Sequence, residues 1–290
     1  MSGAPSYRHG FVAWVVALAA TACVPEPSPG IDDDILAFMV DPNQPRMVEG
    51  RTYSTQPVAA NVGPRRFMFP ANLYYNQIGP FPDDGVMLAV LWPNLEAAAP
   101  GDFPLRTVED GYRQVSIELR YVGHARTGDY LAPHIGSGWA QSLAERVAQP
   151  PRFGLTPYAI DLVAGADDAQ ALEPDWYVVR ADGGRLKTFI SCDAARVVAD
   201  GLVMGSRTIV RSGGDRIAMC RHSMVDVESG IAVEMNYARV MLVEWQRLEA
   251  AAVGLMRRYE AEPTARHRSA SAFAGRTHRR VRGCRILGSH

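Results

Sequence analysis

Lysine is nearly missing from this chain: Lys187 is the only one, and arginine supplies the other side-chain cations. That imbalance looks like the codon usage of a GC-rich genome rather than design. Long apolar runs are missing too. No segment reaches the roughly 18 consecutive apolar residues that a membrane-spanning helix needs. Catalytic signatures are absent: there is no G-x-S-x-G elbow, no P-loop, no G-x-G-x-x-G and no H-E-x-x-H. Cysteine is sparse, with four residues in 290, and no C-x-x-C or H-x-x-x-H spacing offers a metal site. His124, His134 and His222 are too scattered to suggest a ligand triad, and His222 reads as structural. Asp83-Asp84 and Asp167-Asp168 sit in turn contexts, where carboxylates are solvated. The Asp32-Asp-Asp34 cluster lacks the regular spacing and distal Glu of a calcium loop. These absences argue against an enzyme, a catalytic residue, a metal or another cofactor.

What is present divides by charge. The formal net charge of −1 hides an asymmetry. The first 23 residues carry only Arg8, while 257–290 holds nine arginines against Glu260 and Glu262, so the middle is acidic by about nine charges. An acidic body argues against a nucleic-acid partner and leaves room for a basic protein partner; it also simply keeps a domain soluble. The tail, 260–290, is rich in Arg, His and Ser and poor in apolar residues, so disorder is expected. It suits anionic lipid or nucleic acid, or is a frayed terminus.

The beginning reads as an export signal. Arg8 and His9 precede ten apolar residues, 11–20. A helix of that length rises about 15 Å, half the hydrocarbon thickness of about 30 Å, so it fits a signal peptide and not a span. It ends in Ala20-Thr21-Ala22-Cys23. Ala20-x-Ala22 fits ordinary signal peptidase. Small residues before a cysteine resemble the lipobox of bacterial lipoproteins, in which Cys23 becomes the lipidated first residue; Ala20 departs from the usual Leu. The Pro-rich stretch that follows, within 24–34, reads as a tether. Val24 is not the Asp that retains such lipoproteins at the inner membrane, which points to the periplasmic side of the outer membrane. With Cys23 lipidated, Cys192 and Cys220 are the natural disulfide pair in an oxidising compartment, the alternative being two separate buried thiols. A loop of 28 residues gives such a bridge about 3–4 kcal/mol in the loop-entropy model.

The body, 35–259, reads as strands, short helices and one long helix. Strands are expected at 65–69, 86–92, 114–121, 176–180, 186–192, 217–220 and 231–235. The segment 86–92 is apolar on both faces and reads as central. Segment 114–121 alternates, with Val115, Ile117, Leu119 and Tyr121 facing one way and Gln114, Ser116, Glu118 and Arg120 the other. Residues 142–147 suggest a short helix. Met241, Trp245, Leu248, Ala252, Leu255 and Tyr259 recur at helical spacing and predict an amphipathic helix over 238–259, packed on the sheet. The expected class is α+β with mostly antiparallel sheet, with room for two small lobes split near 170. Residues 67–80 mix aromatics with Asn, Gln and Pro, and Phe69, Asn72, Tyr74, Tyr75, Asn76 and Gln77 form a candidate protein-binding surface. The competing reading is a strand followed by a packed Ω-loop.

Several features together carry a resemblance: the lipobox-like leader, Phe69-Pro-Ala-Asn72, Gly85, Trp92-Pro-Asn-Leu95, the two body cysteines, and the helix running from Tyr237 past Trp245. The pattern resembles periplasmic lipoproteins found beside type VI secretion effectors and proposed as immunity proteins. The resemblance implies a protein that binds and neutralises a secreted, periplasm-active toxin without chemistry of its own. An acidic body would steer a basic toxin. Two other roles fit the sequence: a general envelope lipoprotein with a scaffold or ligand-binding task, and an envelope hydrolase.

Overall fold

Alternation in residues 114–121 sets up the whole sheet, because a strand with one apolar face must bury that face against something. A computed structural model describes residues 43–81, 85–103, 107–136, 141–162 and 172–261. The leader with Cys23, the tether, Asp32 to Asp34, the two Asp pairs and all but the first two residues of the basic tail lie outside the described residues.

Two hairpins come first: β1 (Arg46–Val48) with β2 (Arg51–Tyr53), and β3 (Pro57–Val62) with β4 (Arg65–Pro70). The turn of the second needs Gly63, whose φ is +61° and where a Cβ would lie 2.2 Å from the Tyr121 ring. Next come β5 (Val86–Leu91), the short helix α1 (Val108–Tyr112) and β6 (Gln114–Tyr121). The one-turn helix α2 (Pro133–Gly136) precedes β7 (Val147–Ala148), β8 (Thr156–Ala159), β9 (Asp175–Arg180) and β10 (Leu186–Cys192). A side ribbon, β11 (Leu202–Met204) with β12 (Ile209–Arg211), leads to the long hairpin β13 (Met219–Asp226) and β14 (Ile231–Ala238). Helix α3 (Trp245–Tyr259) follows. Eight strands make one antiparallel sheet in the order β5-β6-β14-β13-β10-β9-β8-β7. The class is α+β, mostly antiparallel sheet with a C-terminal helix.

The pairing of β14 with β6 decides the architecture. It joins strands from both sides of residue 170 into one sheet, so the lobe split that the sequence allowed does not occur. Each strand group would otherwise leave a row of unpaired backbone groups at that edge. Strand β5 is a correction too: it lies at the sheet edge, not the centre. Its apolar character on both faces reflects cover supplied by the chain around it. Tyr75 N–H donates to the Met87 carbonyl (2.9 Å), and Leu91 bridges to Glu96. Residues 142–147 form a 3-10 turn, Leu143–Glu145, running directly into β7, rather than a helix. Strand β13 extends past the expected end at 220, to Asp226.

One sheet face is sealed. Val115, Ile117, Met235, Tyr237, Ile190 and Cys192 are buried there with Trp245, Leu248, Ala252 and Leu255 of the helix. Cys192 and Cys220 are direct cross-strand partners in register and form the disulfide. The helix begins later than its sequence periodicity suggests, because Arg239–Glu244 is a 3-10 helix. Arg239, Met241 and Leu242 are buried within that segment, ahead of Trp245.

Within this core sits a polar chain. Thr188 Oγ1 of β10 donates to Glu249 Oε1 of α3 at 2.7 Å. His222 Nε2 of β13 lies 3.1 Å from the same oxygen, and His222 Nδ1 lies 3.1 Å from the Tyr237 hydroxyl of β14. A carboxylate only accepts, so Nε2 carries the proton and Nδ1 accepts from the tyrosine. Burial, reinforced by the Glu249 charge, holds the Tyr237 hydroxyl above its ordinary pKa and keeps it a donor. Replacing Glu249 with Ala strands His222 and Thr188 in a dry core. The expected loss is about 2–4 kcal/mol in urea unfolding. A loss below about 0.5 kcal/mol would show that the chain of bonds is dispensable.

Candidate functional site

Six residues in the 67–80 stretch form the binding surface expected from sequence, and the structure puts most of them inside. Phe69, Asn72, Tyr74 and Gln77 are buried; Tyr75 and Asn76 are half-buried. Phe69 stacks on Phe67 and meets Tyr74 and Tyr259 edge-on. The Tyr74 hydroxyl donates to the Val58 carbonyl at 3.0 Å, and burial raises its pKa to about 12. The amides tie down the neighbouring loop: Asn72 Nδ2 donates to Ala98, and Gln77 donates to Ala99 and accepts from the N–H groups of Gly101 and Phe103. Asn76 Oδ1 accepts from Ile78 and Gly79 in its own turn. Aromatics and amides suit an interface or a packed loop equally, and here they build the loop that covers β5.

The concavity with unspent chemistry lies on the opposite sheet face. Cross-strand register lines up one row across it: Met87, Glu118, Glu234, Ser223, Phe189, Val178 and Thr156. At the β9–β10 end this face is covered. Leu143, Trp176, Val178 and Phe189 cluster there, with Ile135 and Tyr158 against them. The buried Arg146 guanidinium stacks 3.6 Å from the Trp176 ring centroid, and burial lowers its pKa. At the β6–β14–β13 end the cover stops at Tyr130 and His134, leaving a cavity of about 190 Å³.

Its lining is charged. Glu118 binds Arg120 at 3.0 Å, and Glu234 binds Arg221 at 2.7 Å. The acids lie deeper than the bases: their side chains are 32% and 23% exposed, against 68% for Arg120 and 66% for Arg221. Glu118 and Glu234 are direct cross-strand partners, a like-charge placement that a sheet tolerates only with counter-charge nearby. Ser223, 3% exposed, is the partner of Glu234 on β13. Its Oγ has no hydrogen-bond partner. Desolvation lowers the His134 pKa, which favours the neutral ring. A serine becomes a nucleophile through a hydrogen bond to a base, and Ser223 Oγ makes none here. The other body histidines are elsewhere: His222 in the core, and His124 exposed against the Val227 carbonyl.

Sequence reading placed Glu118 and Arg120 on the outward face of their strand but attached no role to them. It missed Arg221 and Ser223 because they lie beyond 220, the expected end of the strand starting at 217. The alternation of Glu234 and Asn236 with apolar Val233 and Met235 was the available signal.

A second concavity, near the tight turn 152–155, is more apolar. Phe153 has φ +55° and is 41% exposed, and its carbonyl accepts from the Trp245 indole at 2.8 Å.

A buried hydroxyl without a partner costs stability that its removal returns. Ser223→Ala should therefore leave folding stability unchanged or raise it by up to about 1 kcal/mol in denaturant unfolding. A loss larger than that would mean the hydroxyl is already satisfied.

No protein-family model matches the chain, and no curated protein matches it significantly. A solved structure does: Smlt3025, an immunity protein of the Stenotrophomonas maltophilia type IV secretion system. It is 30% identical, the match covers 76% of this chain and 99% of that one, and the TM-score is 0.66. The resemblance seen in the sequence reached an immunity protein but pointed to a type VI system; the matching structure comes from a type IV system.

Proposed function

The chain belongs to the family of the immunity protein Smlt3025, and from that membership we propose that it binds and neutralises a secreted effector without performing chemistry of its own. The family match, which runs over nearly all of the solved protein, is the observation that carries this reading. The sheet face bearing Glu118, Arg120, Arg221, Ser223 and Glu234 is the contact surface that best supports it. That face is concave and polar, is built on rigid neighbouring strands, and keeps hydrogen-bonding capacity that the fold does not use. Residues 67–80 give less to a partner, because their aromatics are packed and their amides, the Asn72 Oδ1 apart, are engaged within the chain.

The setting follows from the leader. Export, cleavage before Cys23, lipidation of that cysteine and a place on the periplasmic side of the outer membrane would put the domain where an incoming effector acts. The Cys192–Cys220 disulfide suits an oxidising compartment. The acidic middle of the chain would hasten encounter with a basic effector.

One growth assay tests the reading. Secreted, periplasm-active toxins of the source organism are each expressed with a periplasmic signal, alone or with this protein. Full-length protein should restore growth against one of them, and a form lacking residues 1–23 should not. Cys23→Ser should move the protein from the membrane pellet to the soluble fraction. Failure of the full-length protein to protect against any of them, or to form a complex with one in vitro, would contradict the proposal.

A further inference from the structure

We propose that the cavity over β6, β14 and β13 receives an arginine side chain of the partner protein, clamped between Glu118 and Glu234 with Ser223 at its floor. The inference rests on the binding role proposed above and names the chemistry of the contact. Four observations lead to it.

First, the two carboxylates are cross-strand neighbours, which sets their Cβ atoms about 4.5–5.5 Å apart. Glu118 meets Arg120 and Glu234 meets Arg221 through Oε1. A carboxylate accepts up to about four hydrogen bonds, so both keep capacity. Second, the sign at depth is negative. The resident guanidinium groups are two-thirds exposed while the carboxylates sit beneath them, so an entering anion would be driven against acids, and an entering cation would meet them. Third, Ser223 is almost wholly buried, lines the cavity and has an unpartnered hydroxyl that can accept from an incoming N–H. Fourth, burial favours the neutral form of the His134 ring at the rim, so it adds no third cation beside Arg120 and Arg221.

Arginine fits better than the alternatives. A guanidinium offers five donors in a planar fork, which two neighbouring carboxylates and a hydroxyl can share; an ammonium is a point charge with three. A divalent cation is disfavoured by the donor set, since among the described residues no three His, Cys, Asp or Glu side chains are grouped to hold one.

The test uses the folded, full-length domain and a small probe. N-acetyl-L-arginine methylamide is titrated while the backbone amides of Glu118, Ser223 and Glu234 are followed by NMR. The neutral citrulline analogue, the lysine analogue and magnesium are titrated in parallel. Saturable shifts at those three positions are expected for the arginine analogue, with a dissociation constant on the order of 10 mM. Weaker shifts are expected for lysine, and none for citrulline or magnesium. Glu234→Gln and Glu118→Gln should each weaken binding several-fold. Ser223→Ala should weaken it about three-fold without lowering the unfolding midpoint. Glu228→Gln, on an exposed acid 76% open to solvent, should change nothing and controls for net charge. Equal shifts with citrulline, a preference for magnesium, or no saturable response at these amides would overturn the proposal. The two readings fail separately. If the effector binds wild type and both glutamine variants alike, the arginine clamp is wrong and the immunity role stands. If the probe binds but no effector is neutralised, the clamp stands and the role falls.

Discussion

Glu249 is the point on which the fold turns. It is a carboxylate on the buried side of the C-terminal helix, and it accepts from Thr188 and from His222, which in turn accepts from Tyr237. Through these bonds the helix is tied to β10, β13 and β14 at once. Apolar packing alone would let a helix slide or rotate on a sheet, since hydrophobic contact has no direction. A buried acid with two directional partners does not allow that, because any shift leaves groups unsatisfied in a dry core. The disulfide joins β10 to β13 at the last residue pair of the same ladder. Helix, disulfide and hydrogen bonds thus fix three central strands in one register.

That register produces the other face. Because side chains alternate, holding Thr188, His222 and Met235 under the helix places Phe189, Ser223 and Glu234 on the far side of the sheet. Cross-strand pairing then extends the row to Glu118. Half of that face is closed by Trp176, Phe189 and the segment carrying Leu143, and half is left open with its acids and its unpaired hydroxyl. The inner face meets the demands of stability. The outer face carries polar groups that folding does not need, which is what a recognition surface requires.

Much of this was legible in the sequence. The alternation of 114–121, the apolar periodicity from Met241 to Tyr259 and the pairing of Cys192 with Cys220 were all readable, because each depends on local spacing or on simple elimination. What could not be read were facts of long-range partnering. Nothing in 86–91 says that its cover comes from the chain around residue 75 rather than from a second strand. Nothing in 67–80 says whether its amides face a partner or the loop at 98–103. The open cavity was invisible for the same reason: Glu118, Glu234 and Ser223 come from three strands and become neighbours only when β14 pairs with both β6 and β13. His222 was read as structural without any sign of Glu249, which lies 27 positions away and bonds to it across the core.

The central claim is that the open half of the outer sheet face meets the effector. Carboxyl footprinting of the free protein and of its complex tests this most directly, because the acids differ in position but share one chemistry. Labelling of Glu118 and Glu234 should fall several-fold on complex formation, while Glu228 and Asp102 keep their free rates. Unchanged labelling of Glu118 and Glu234 in a saturated complex would contradict the account and move the contact elsewhere on the molecule.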